Sequence, residues 1–161
     1  MQPFDIEERV RRSIGYFNEG YNCAQSVFMA YADLFEYPAE AAKAIASSFG
    51  GGIGRLRETC GTISAMAMLA GLQHPAPDPA DARARTANYA VTRNMVKRFT
   101  NEYGTIKCGE LLKIPVGKKE GAAPSERTDG YYAKRPCGRF VEHAARTAGQ
   151  MLKGEITTEE E

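Results

Sequence analysis

Apolar residues recur every three or four positions along almost the whole chain, and this spacing confines the fold to packed helices. Ile6, Val10, Ile14, Phe17 and Tyr21 make one such face. Asn22 is placed to cap a second helix, whose Val27, Tyr31, Leu34 and Phe35 face inward. Pro38 fits the first turn of a third, alanine-rich helix that runs to Ser48. A fourth helix, from about Thr59 to Leu72, carries Ile63, Met66, Met68 and Leu69 among small residues. It is expected to be central and buried on several sides. Beyond the stiff connector His74 to Pro79, a long helix from about Ala80 to Tyr103 presents Ala84, Ala87, Val91, Met95 and Phe99, and Gly104 stops it. A short helix near Lys107 to Lys113 precedes Pro115. A last helix, about Pro136 to Lys153, has Phe140, Val141, Ala144, Ala148 and Met151 on one face. No strand alternation or internal repeat competes. The expected fold is all-α: a compact single-domain multi-helix bundle over residues 1–153, followed by an acidic, disordered tail over 154–161. Residues 115–136 mix Gly, Pro, Lys and Ser without periodicity and read as one long loop, often functional or mobile at that length.

At 161 residues the chain can bury one sizeable core. Its 21 basic and 20 acidic side chains leave a net charge of +1, which makes no case for nucleic acid or anionic membrane. No apolar run approaches the ~20 residues needed to span a bilayer. The start, Met1 to Arg9, lacks the basic-then-apolar layout of a secretory signal, so a cytoplasmic location is the expectation. There, permanent disulfides are disfavoured and transient or catalytic ones are allowed. Helices rich in small residues pack closely and also allow a homodimer.

Four cysteines, Cys23, Cys60, Cys108 and Cys137, each fall beside an expected helix start. A helix N-terminus carries partial positive charge and free N–H donors. That setting favours thiolate, the form that attacks disulfides and binds soft metals. The cysteines are separated by 37, 48 and 29 residues, with no Cys-x-x-Cys. The close ligand pairs of an ordinary structural zinc site and the Cys-x-x-Cys-His of haem attachment are therefore both absent. Three readings follow. The first is a thiol redox protein, an oxidoreductase or electron-handling accessory, working on a redox partner or a small thiol or disulfide. The second is a metal or iron–sulfur module with Cys23, Cys60, Cys108 and Cys137 as ligands to zinc or a cluster, although no cofactor is firmly implied. The third is a non-catalytic interaction protein whose cysteines are small buried hydrophobes.

In the redox reading all four cysteines are catalytic candidates. One thiolate would attack a disulfide or electrophile and a second would resolve the mixed disulfide, with three pairings open. Cys60 ranks first, because it follows a glycine loop and opens a small-residue helix. Arg57 and Glu58 flank it with opposite effects on its pKa.

The loop itself, Gly50 to Arg55, lacks the Gly-Lys-Ser/Thr end of a phosphate-binding loop and follows a helix, so it reads as a helix stop with close backbone packing. Its N–H groups could still hold an anion beside Cys60. Lys113, Lys118, Lys119, Arg127, Lys134 and Arg135 put positive charge in or near the long loop, read as a solvated face or as a guide for a small anion or acidic partner. His74 reads as a loop residue. His143 lies six residues after Cys137, which does not put the two on one helix face, so it reads as core-edge.

The segments Gly20-Tyr21-Asn22-Cys23-Ala24-Gln25, Phe49-Gly50-Gly51-Gly52-Ile53-Gly54-Arg55 with Thr59-Cys60-Gly61, Lys107-Cys108-Gly109-Glu110-Leu111-Leu112, and Cys137-Gly138 together resemble the redox-active protein family named for its C_GCAxxG_C_C pattern. The resemblance spans roughly residues 8–150, with the four cysteines in matching order. After Cys60-Gly61, Thr62 stands where Ala is usual and Ala65 where a later Gly is usual; both are small. The resemblance implies a small helical protein of redox function, with Cys23, Cys60, Cys108 and Cys137 as its site residues.

Overall fold

Capping side chains start four of the helices. The computed structural model describes residues 1–160, which form eight α-helices. These are α1 (Ile6–Asn18), α2 (Cys23–Ala32), α3 (Ala39–Ala46), α4 (Gly61–Gln73), α5 (Ala82–Tyr103), α6 (Cys108–Leu111), α7 (Asp129–Lys134) and α8 (Cys137–Leu152). Asp5 accepts the Glu8 N–H at 2.7 Å and starts α1. Asn22 and Gln25 form a reciprocal capping box at α2, each side chain accepting the other's backbone N–H. Asp81 caps α5, and Gly104, at φ +82°, ends it in the left-handed region. Among the described residues no strand forms, and the fold is all-α.

Composition decides which helices lie inside. Along α2, Ala24, Val27, Phe28, Met29, Ala30 and Tyr31 are buried, so this helix is apolar nearly all round. Such a helix must be enclosed, and α2 touches α1, α3, α4 and α8. The same holds for α4, where Ile63, Ala65, Met66, Leu69 and Ala70 are buried against α2, α5 and α8. By contrast α8 is two-faced, and its Phe140, Val141, Ala144, Ala148 and Met151 are all buried, the stripe read from the sequence. Tyr31 is fully buried and donates its hydroxyl to the Ala145 carbonyl at 2.8 Å, tying α2 to α8. A hydrogen bond of this kind contributes about 1 kcal/mol net. Phe99, Tyr103, Phe140 and His143 form a ring cluster that fastens α5 to α8. Burial there lowers the His143 pKa, as suits a core-edge histidine.

Three segments differ from the sequence reading. Pro38 stands at the N-cap of α3, one position before its first turn. The stretch 115–136 contains α7, capped by Thr128, whose Oγ1 accepts the Tyr131 N–H at 3.1 Å. Six residues are too few to show a helical period. This stretch is also fastened at two points: the Glu120 carboxylate bridges Arg55 and Arg57, and the Arg127 guanidinium donates to the carbonyls of Phe17 and Tyr21. Finally, the acidic tail is held to α5 through Glu160. Ile156 is 3% exposed, Asn94 Nδ2 donates to the carbonyls of Thr157 and Glu159, and Arg93 pairs with Glu160 at 2.6 Å. Glu161 lies outside the described residues. Among the described residues no helix is long and apolar enough to cross a membrane.

Candidate functional site

All four cysteines sit at helix starts. Cys23, Cys108 and Cys137 are the first residues of α2, α6 and α8, and Cys60 is the N-cap of α4. All four line one cavity of ≈ 50 Å³, room for about three or four water-sized groups. All four are free thiols; Cys23 is half-buried and the others are buried.

Backbone pairing and glycines bring these starts together. Thr59 and Lys107 make an isolated antiparallel bridge. Around it Cys60 N–H donates to the Ile106 carbonyl at 2.8 Å and Cys108 N–H to the Glu58 carbonyl at 2.6 Å, so α4 and α6 begin side by side. At Gly61 a Cβ would lie 2.9 Å from the Ala24 backbone nitrogen, closer than real contacts allow, so the starts of α4 and α2 meet only because that atom is missing. At Gly52 a Cβ would lie 2.6 Å from Cys108 Cβ and 2.7 Å from the Glu58 nitrogen. Gly52 has φ +68°, within a run of left-handed residues that includes Gly51 (+64°), Ile53 (+64°), Gly54 (+53°) and Arg55 (+64°). A β-branched residue such as Ile53 is costly there. The run is held by backbone bonds from Gly54 to Ser48, Arg57 to Gly51 and Glu58 to Gly52, at 2.9, 3.1 and 2.9 Å. The glycine loop, read from the sequence as a helix stop with close backbone packing, is a closed left-handed turn against Cys108.

The four thiols have different electrostatic surroundings. Cys23 and Cys137 lie side by side on the cavity wall, and the Cys23 thiol favours thiolate on its neighbour. That interaction lowers the Cys137 pKa to about 7; burial opposes it, and Arg135, Arg127 and Arg57 assist. The same interaction, reinforced by burial, raises Cys23 well above the usual thiol range. Burial raises Cys60 to about 11, partly offset by Thr62, whose hydroxyl lies 3.1 Å from its sulfur. Burial also raises Cys108, partly offset by Arg57, whose Nη1 donates to the sulfur at 3.7 Å.

Three arginines line the cavity: Arg57, Arg127 and Arg135. Arg57 is held by the half-buried Glu120 carboxylate. The Arg127 guanidinium lies over the rings of Phe17 and Tyr131 at 4.8 and 4.7 Å, and Arg135 lies over Tyr131 at 5.1 Å. Such stacking orients a cation without neutralising it. In the sequence, Arg127 and Arg135 looked like a solvated face, and Glu120 and Tyr131 gave no signal; their roles depend on chain crossings that no local pattern encodes. Lys118 and Lys119 do not line the cysteine cavity. They border a separate, wider cleft with Leu56 and Val116. His74 and His143 lie outside the cysteine cavity. Among the described residues no three His, Cys, Asp or Glu side chains stand close enough to hold one metal ion.

No curated protein and no solved structure matches the chain. A family model does. Its description is "Putative redox-active protein (C_GCAxxG_C_C)", and it matches residues 21–151, the segment that carries all four cysteines and the helices that position them. The chain belongs to that family.

Proposed function

We propose that this is a thiol redox protein in which Cys137 attacks and Cys23 resolves. The observation that carries this reading is the placing of Cys23 and Cys137 together on the wall of an arginine-lined cavity. Of the four cysteines, Cys137 is the one whose surroundings favour thiolate near neutral pH. The sequence ranking put Cys60 first, but its raised pKa suits a supporting role. In the proposed cycle the Cys137 thiolate attacks one sulfur of an S–S bond. That bond breaks, a mixed disulfide forms on Cys137, and the other sulfur leaves with the electron pair. Cys23 then attacks the Cys137 sulfur and loses its proton to solvent. The second half of the substrate leaves, and the Cys23–Cys137 disulfide remains. The dithiol is oxidised by two electrons and the substrate reduced by two.

The test is a thiol count, a metal analysis and disulfide mapping on protein purified without air. Mild oxidation is expected to remove two thiols and to link Cys23 with Cys137. Four inert thiols, or a bond that omits Cys137, would overturn the reading. A second reading draws on the convergence of all four cysteines on one cavity: their thiolates could be drawn together around zinc or an iron–sulfur cluster. Stoichiometric metal with masked thiols would select it.

A further inference from the structure

The cysteine cavity is lined by positive charge, from Arg57, Arg127 and Arg135, and among the described residues by no carboxylate. Arg57 has its counter-charge in Glu120, outside the cavity wall. Arg127 and Arg135 make no ion pair with a described carboxylate; carbonyls and aromatic rings hold them instead. One thiolate at Cys137 would offset one of these two free cations and leave the other. Two guanidiniums kept unpaired beside a reacting sulfur raise the local concentration of anions and repel cations. The cavity is also small, at ≈ 50 Å³, so the group that reaches Cys137 is compact.

We infer that the substrate of this site is a small anionic S–S electrophile, an anionic disulfide or thiosulfonate, whose negative charge lies next to the bond that breaks and is met by Arg127 and Arg135. This rests on the Cys137–Cys23 reading and extends it from a type of chemistry to a class of substrate. The sulfur that leaves is an anion too, so the same arginines stabilise the charge that develops on it. For tetrathionate the balance closes without another reactant: the dithiol becomes the Cys23–Cys137 disulfide, two thiosulfates are released and two protons pass to solvent.

The experiment compares oxidation of the reduced protein by tetrathionate and by the neutral bis(2-hydroxyethyl) disulfide. Dithiothreitol, treated with both reagents, corrects for their intrinsic reactivity. At low ionic strength the corrected ratio is expected to favour tetrathionate by about tenfold or more, and to shrink as salt is added. Arg127→Gln and Arg135→Gln should each lower the ratio, whereas Arg135→Lys, which keeps the charge, should retain most of it. The ratio isolates charge selection, since a change in Cys137 reactivity slows both reagents together. A corrected ratio near one, unmoved by either glutamine variant, would overturn the anion preference and leave the thiol chemistry standing. Failure of both reagents to oxidise the pair would overturn the thiol reading and this inference with it.

Discussion

Cys137→Ser should leave the protein without a thiol that reacts quickly at neutral pH. With its pKa lowered to about 7, Cys137 is roughly half thiolate at pH 7. Cys60, raised to about 11, is ionised to about one part in ten thousand there. A low pKa also weakens a thiolate's intrinsic nucleophilicity, by about 0.4–0.5 log units in rate per pKa unit, so the advantage in rate is smaller than that in ionisation. The net expectation is still a fall of more than about tenfold in iodoacetamide alkylation at pH 7. The sign of the pH dependence follows from the reactive form. The wild-type rate should climb as pH rises through about 7 and then level off, because thiolate replaces thiol. The residual rate of the serine variant should keep climbing through pH 9, since burial raises the Cys60 and Cys108 pKa values and still acts on Cys23 once its partner thiol is gone. A serine variant that keeps the fast phase and its midpoint would transfer the leading role to another cysteine.

The second large effect concerns the turn behind Cys108. Gly52→Ala places a methyl 2.6 Å from Cys108 Cβ and 2.7 Å from the Glu58 nitrogen, at φ +68°. Left-handed geometry costs about 1–2 kcal/mol for a residue with a Cβ, and forced overpacking costs about 1–3 kcal/mol more. The expected loss is about 3 kcal/mol, or about 6–12 °C in Tm for a chain of this size. Gly54→Ala is the control. It also has a positive φ, +53°, but nothing lies within 4 Å of its added Cβ. It should show the conformational cost alone, about 1–2 kcal/mol. Thermal melts of the two variants separate the contributions; equal Tm losses would mean that the turn does not press on Cys108 as described.

Most of the fold is legible in the sequence because its signals are local. Asn22, Asp81 and Gly104 act within a turn of their own position, and the stripes of α5 and α8 repeat often enough to be read. The four helix starts at the cysteines are legible for the same reason. What the sequence hides is set by contacts between distant segments. The Cys137 environment depends on α2, on the 115–128 stretch and on the turn before α4, through Cys23, Arg127 and Arg57. None of these partners lies near Cys137 in the chain, whereas Arg135, two residues away, looked like one more surface charge. The left-handed path of 51–57 is hidden because Ile53, Arg55 and Arg57 are poor residues for it and are held there by backbone bonds. The Ile156 anchor is one apolar side chain in an acidic stretch, too little to form a pattern.

The distance along the chain between the starts of α2 and α8 has a thermodynamic consequence. A bond from Cys23 to Cys137 would turn most of the polypeptide into a single ring. For loops near a hundred residues, chain-entropy reasoning gives about 4.7 kcal/mol of stabilisation through the unfolded state. Linkage makes this mutual. If the bond favours the fold by that amount, the fold favours the bond equally, because it holds at high effective concentration two sulfurs that the loose chain would rarely bring together. The reduction potential of such a pair belongs to the whole helical assembly, and any stress that loosens the bundle makes the disulfide easier to reduce.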